Sequence, residues 1–199
     1  MESPGDGAAA GTSATWVLPY EEASFAVPRE TAIPETPLPI LMEIVARVVT
    51  IEGPIHREEI TRRVTVLWGQ QRAGNRIVRA ISDAIELAIR QGILQSEGEF
   101  VTPSQRTELT VRCRSGVTAP HLRKPEMLPP AEIAAAIRGL LTDNIGLHRQ
   151  EIPGMVARLM GFKAASPKLK DAIDAVVSKL IEQGQASARD SKVFPPQKS

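Results

Sequence analysis

The sequence holds one cysteine, Cys113, in 199 residues. One thiol forms no intramolecular disulfide and no thiolate cluster for zinc, so a reducing compartment fits. No run of about eighteen apolar residues is present to span a bilayer. The start, MESPGDGAAAGTSA, lacks both the basic residues and the apolar stretch of a secretion signal, which makes the expected location cytoplasmic. An excess of either charge is missing too. Lysine and arginine number 24 against 23 aspartates and glutamates, so no global field draws the chain to nucleic acid or membrane, and any such surface must be local. Neither GxxxxGK[ST] nor GxGxxG occurs, which removes the usual phosphate loops. No cluster of carboxylates and histidines stands out as catalytic machinery. The expectation is a protein that is no enzyme and that needs no cofactor, metal or small-molecule substrate.

The remaining composition is that of a globular protein: 42% hydrophobic and 24% charged, enough for one medium core or two small ones. Residues 1–15 are rich in glycine, serine and alanine and read as a disordered tail. Residues 16–35 hold three prolines with Trp16, Tyr20 and Phe25, an extended lead-in that the aromatics pin to a folded body. In LPILMEIVARVVT, Ile40, Ile44, Val45 and Val48 recur at helical spacing until Gly53-Pro54. Ile60, Val64 and Leu67 mark a second, short helix that ends at Gly69. Ile77, Ile81, Ala84, Ile85 and Ala88 form the stripe of a third, which Gly92 closes. ILQSEGEFVTP then sets a glycine between two runs of strand formers, as a hairpin requires.

Shifted by 92 positions, the second half falls on the first without a gap. His56, Arg57, Glu59 and Ile60 meet His148, Arg149, Glu151 and Ile152, and Gly69 and Gly92 meet Gly161 and Gly184. Matches at apolar stripes and helix-ending glycines define a packed unit rather than an active site. The fold class expected is mostly α: tandem winged helix-turn-helix repeats with small β-hairpin wings. Copy one occupies 36–103 and copy two 129–196, joined by a basic linker over 104–128.

The recurring His-x-x-Glu places two ligand types on one helix face, but two ligands are too few for a metal, and a core isoleucine follows where a second histidine belongs. The reading preferred is punctuation: histidine as N-cap with glutamate at the third position, approximating a capping box. Pro153-Gly154 implies that the second helix of copy two begins later than its counterpart. His121 reads as a surface residue, and Cys113 as incidental although arginines flank it.

Arg72, Asn75, Arg76 and Arg79 cluster where the third helix begins, the place from which a helix-turn-helix reads the major groove. Against this stand Arg79–Asp83 and Glu86–Arg90, spaced as the ion pairs of any solvated helix. Copy two offers Lys163, Lys168 and Lys170 instead. The linker run Arg106, Arg112, Arg114, Arg123 and Lys124 is spaced to follow a phosphate backbone, or is basic only because it is solvated.

EGPIHREEITRRV (52–64), Gly69 and AGNRIVRAI (73–81), with PAEIAAAIRGLL and MVARLMGF in the second half, resemble the uncharacterised C-terminal domain of very large bacterial superfamily I helicase-like proteins, often found after an endonuclease-like module. The likeness runs from about Tyr20 to Pro195, and the chain carries no helicase motif. The resemblance implies an accessory module of a DNA-processing system with a helicase or endonuclease-like partner. Its direct ligand is then DNA, duplex rather than single strand. The alternative is a docking module that touches protein alone.

Overall fold

A computed structural model describes residues 15–105 and 109–196. About half of these residues are helical. In chain order the elements are β1 (Val17–Pro19), α1 (Leu38–Glu52), β2 (Ile55–His56), α2 (Arg57–Leu67), α3 (Asn75–Arg90), β3 (Leu94–Glu97), β4 (Phe100–Pro103), β5 (Val111–Cys113), α4 (Pro130–Asp143), β6 (Leu147–His148), α5 (Ile152–Leu159), α6 (Pro167–Glu182), β7 (Ser187–Arg189) and β8 (Lys192–Phe194). Short 3-10 turns at Ile33–Glu35, Pro120–Arg123 and Pro125–Met127 fill the connections. The tail expected over residues 1–15 lies outside the described residues except for Thr15.

The fold is mixed α and β, where a mostly α protein was expected. Three small sheets account for the difference: β2-β4-β3 and β6-β8-β7, both antiparallel, and the parallel pair β1-β5. The first hairpin stands where turn chemistry placed it, and the second where the 92-residue offset did. The two-residue strands β2 and β6, too short to carry a period of their own, were not foreseen.

The 92-residue offset survives in space. α1 and α4 open at Leu38 and Pro130, and α3 and α6 span matched positions throughout. Gly69 and Gly161, the residues that stop α2 and α5, both have left-handed φ (75° and 87°), which costs glycine nothing. Gly161 has a second reason to be glycine. A Cβ there would meet the Ser115 nitrogen at 2.3 Å, because the backbone after β5 runs against this turn.

Each repeat buries its own aliphatic core. Val45, Val48, Val49, Ile60, Val64, Ile81, Ala84 and Val101 fill the first. Ile133, Ile137, Ile152, Val156, Met160, Ile173, Val177 and Val193 fill the second. A buried Val, Leu or Ile contributes about 1.5–3 kcal/mol relative to exposure, so these stripes dominate the stability of each unit.

The lead-in is shared between the repeats. Phe25 packs on the first core and Trp16 on the second. Gly139 makes room for the Trp16 ring on α4, where a Cβ would lie 2.6 Å from it, and the indole N–H donates to Asp143 Oδ2 at 3.1 Å.

The histidines divide. His56 is the N-cap of α2, its Nδ1 accepting the Glu58 backbone N–H at 3.2 Å. Glu59 does not reach back to close a capping box. It is buried and bonds Arg63, Arg62 and His121. His148 caps nothing, because Pro153 sits in the first turn of a helix that starts only at Ile152, with Glu151 as its cap. That late start agrees with expectation.

Candidate nucleic-acid interface

Arg72, Asn75, Arg76 and Arg79 are all exposed. Gly74, in extended conformation, is the N-cap of α3. Asn75 therefore opens the helix, with Arg76 and Arg79 on its first turns and Arg72 in the preceding turn. The ion pairs expected to neutralise this face do not form among the described residues. Glu86 turns away from Arg90 to Arg57, whose Nη1 lies 2.7 Å from Glu86 Oε1. Asp83 stands exposed and does not pair with Arg79. The three arginines thus present unpaired charge beside the positive end of a helix dipole, an arrangement suited to anions.

In the second repeat Lys163, Lys168 and Lys170 are likewise exposed and unpaired among the described residues. Yet the position matching Arg79 is Asp171, and Pro167 replaces Asn75. Ser166 caps α6, its hydroxyl accepting the Leu169 N–H at 3.3 Å. The two helix starts share geometry and differ in charge.

The remaining basic run behaves differently. Arg112 and Arg114 are 5% and 1% exposed, so they cannot track a phosphate backbone. Arg112 of β5 and Arg114 just beyond it both turn inward, where they share the carboxylate of Glu132 on α4. Arg112 Nη2 donates to Oε2 at 2.9 Å, and Arg114 donates to Oε1 at 3.0 Å and Oε2 at 2.8 Å. Burial pushes the Glu132 carboxyl up, but the two guanidinium groups outweigh burial and hold it below the usual glutamate range. Arg112 also donates to the carbonyls of Glu52 and Pro54, which ties β5 to the end of α1. Arg123 is consumed by the carbonyls of Arg114, Ser115 and Val117. Arg106 lies outside the described residues.

A second buried carboxylate, Glu52, accepts from Tyr20 Oη at 2.8 Å, from the Ala23 N–H at 2.9 Å and from Arg63 Nη2 at 3.2 Å. Arg63 Nε lies 2.5 Å from Glu52 Oε1, an ion pair without hydrogen-bond alignment. Burial raises the Glu52 carboxyl above its ordinary range, and Arg63 offsets this only in part. The same burial, with Glu52 beside it, drives the Tyr20 phenol far up. The Tyr20 ring sits 4.9 Å from the guanidinium carbons of both Arg112 and Arg114, so it joins the two carboxylate centres. His121, expected at the surface, is half-buried and approaches Glu59 Oε2 to 2.5 Å.

Sequence reasoning missed this network. Its acids and bases are paired with one another, which makes it a polar joint between lead-in, first repeat, connector and α4. The only advance signal was the spacing of Arg112 and Arg114, two apart and so on one face of a strand. Among the described residues, no group of three or more histidine, cysteine, aspartate or glutamate side chains is arranged to hold a metal ion. None of their helices is long and apolar enough to cross a membrane.

Comparison with known proteins adds one relation. Residues 32–79, which include α1, α2 and the start of α3, match the model of a protein family of unknown function, DUF3320. No curated protein and no solved structure matches the chain. Over those residues, the chain is similar to the DUF3320 family.

Proposed function

We propose that this protein is a non-catalytic module of two winged helix-turn-helix units that binds duplex DNA, with the start of α3 as its main contact. The observation that carries the reading is the unpaired set Arg72, Arg76 and Arg79, together with the diversion of Glu86 to Arg57. Helix, short strand, two helices and a hairpin, with the short strand against the second hairpin strand, is the order of a winged helix. The resemblance to the terminal domain of helicase-like proteins supports a role for such a module in a DNA-processing system. Copy two, with Asp171 and Pro167 at the matching places, has the lesser part at its own third helix.

Replacing Arg72, Arg76 and Arg79 together by alanine is expected to weaken duplex binding by roughly 1 kcal/mol or more per lost contact and to flatten the salt dependence by about one unit per phosphate contact. Changing Lys163, Lys168 and Lys170 is expected to do less. Fluorescence anisotropy across a salt series measures both. A docking module is favoured by one observation, Val78, an apolar residue 43% exposed on α3 itself. If neither triple variant alters duplex affinity, the third-helix reading fails, and if the wild type binds no duplex at low salt, docking replaces DNA recognition.

A further inference from the structure

The hairpins of the two repeats have the same geometry and opposite chemistry. In the first, His56 pairs across the sheet with Phe100, and Phe100 with Glu97. In the second, the matched pairs are His148 with Lys192, and Lys192 with Arg189. Residues directly opposed on antiparallel strands share a face, so each repeat carries a three-strand row on the face away from its core. The other face of the second sheet holds buried Leu147 and Val193.

The first row is closed within the molecule. The rings of His56 and Phe100 meet edge to face at 5.3 Å, and Glu97 Oε1 lies 3.7 Å from Lys179 Nζ on α6. The second row is open. His148 and Arg189 are exposed, Lys192 is half-buried, and none of the three has an ion pair or side-chain hydrogen bond among the described residues. Their basic neighbour Arg149 is already used, donating to Ser178 Oγ at 2.7 Å. Asp190, the nearest acid in sequence, sits in the turn and neutralises neither Arg189 nor Lys192. Two cations set directly opposite each other repel, and nothing within the described chain offsets that repulsion.

We infer that the row His148, Lys192 and Arg189 on the second hairpin binds the phosphate backbone of duplex DNA, and that it is the contact through which copy two serves the proposed function. Adjacent strands lie about 4.8 Å apart, so three strands set their basic tips along about 10 Å. That span suits successive phosphates on a backbone better than a single small anion. The inference rests on the DNA-binding reading but uses a separate surface, so the two are separable.

The test uses the full chain and a labelled duplex of mixed sequence in a potassium chloride series. Arg189→Gln with Lys192→Gln is expected to weaken binding about tenfold or more and to make the salt slope shallower by about two units, one per phosphate lost. Arg189→Lys with Lys192→Arg keeps both charges and is expected to bind like the wild type. Arg189→Gln alone, less disturbing to the hairpin, is expected to shift the slope by about one unit. If the glutamine pair leaves affinity and slope unchanged while the Arg72, Arg76 and Arg79 variant loses binding, the hairpin inference is overturned and the α3 reading stands. If the glutamine pair loses binding and the α3 variant does not, the hairpin row stands without α3. A wild type that binds no duplex at low salt overturns both.

Discussion

Glu132 and Glu52 are both buried beside arginines, and they respond oppositely to pH. The Glu132 carboxyl is held below the ordinary value of 4.5, so the folded state binds its proton less tightly than the unfolded state does. Its contribution is complete above that value and drains as pH falls through the folded one. Glu52 is raised above 4.5, so its contribution is present at low pH and is lost as pH rises through its folded value. Glu132→Gln leaves Arg112 and Arg114 short of their shared counter-charge and is expected to cost about 3–5 kcal/mol at neutral pH. Glu52→Gln is expected to cost less, because Arg63 retains Glu22 and Glu59 and the lost charge was itself poorly solvated. Urea midpoints at neutral pH and at pH near 4 check the ranking, and a smaller difference between wild type and Glu132→Gln at the acid pH checks the sign. The individual buried arginines were not legible beforehand. A charge in a linker reads as solvated, and the partner that buries Arg112 and Arg114 stands on the next helix, beyond the reach of any local pattern.

Among the elements, the helices of the first repeat were the most legible. A stripe such as Ile81, Ala84, Ile85 and Ala88 and a closing Gly92 with φ of 70° report the same boundary from two directions. The capping role failed in the second repeat. His148 repeats the residue type of His56, and each ends a two-residue strand, but Pro153 and Gly154 delay α5 and leave His148 short of the helix. The hairpin turns offer a test at this scale. Gly98 turns the first with φ of 58°, whereas the second forces Asp190 and Ser191 to 46° and 63°. Side chains resist that region, and asparagine followed by glycine is the pair that suits such a turn. Asp190→Asn with Ser191→Gly is expected to raise stability by about 1 kcal/mol, read as a higher thermal midpoint. An unchanged or lower midpoint would contradict the strain assigned to this turn. The positive start of α3 was legible because a helix-turn-helix pattern says where to look. The basic hairpin row was not, because cross-strand neighbours become neighbours only once the register is known.

For the whole molecule, two cores bridged by buried charge imply that the repeats depend on each other. Val64 and Ile173 are both fully buried, one in each core. Val64→Asp and Ile173→Asp each place an unpaired charge there, at a cost of several kcal/mol, and are expected to unfold the repeat that holds them. Since Arg112 of the connector bonds backbone carbonyls at the end of α1 and Glu132 of α4 together, the damage is expected to spread. Calorimetry of the wild type should then show one transition, and each variant a loss of cooperativity in both halves. Sharp melting retained in either variant would show its core to be wrongly placed. The repeat itself was legible at this scale, since a fixed offset that preserves apolar stripes needs no knowledge of contacts. The mixed α and β character was not, because strands of two or three residues draw their identity from partners far along the chain.

One of those partnerships bears on how the protein is made. Val17 of β1 lies beside Val111 of β5, in parallel. A ribosome releases β1 early and its mate only after the entire first repeat has been synthesised, a wait of about 5–20 s at ordinary elongation rates. During that interval the first repeat has time to fold, while the nascent lead-in holds an unpaired strand edge with Leu18 and no sheet to join. Closing the pair afterwards encloses the folded first repeat in a loop of chain. The β1–β5 pair therefore closes only after the first repeat is made, although the rest of the lead-in, through Tyr20, Ala23 and Phe25, has its partners in that repeat already.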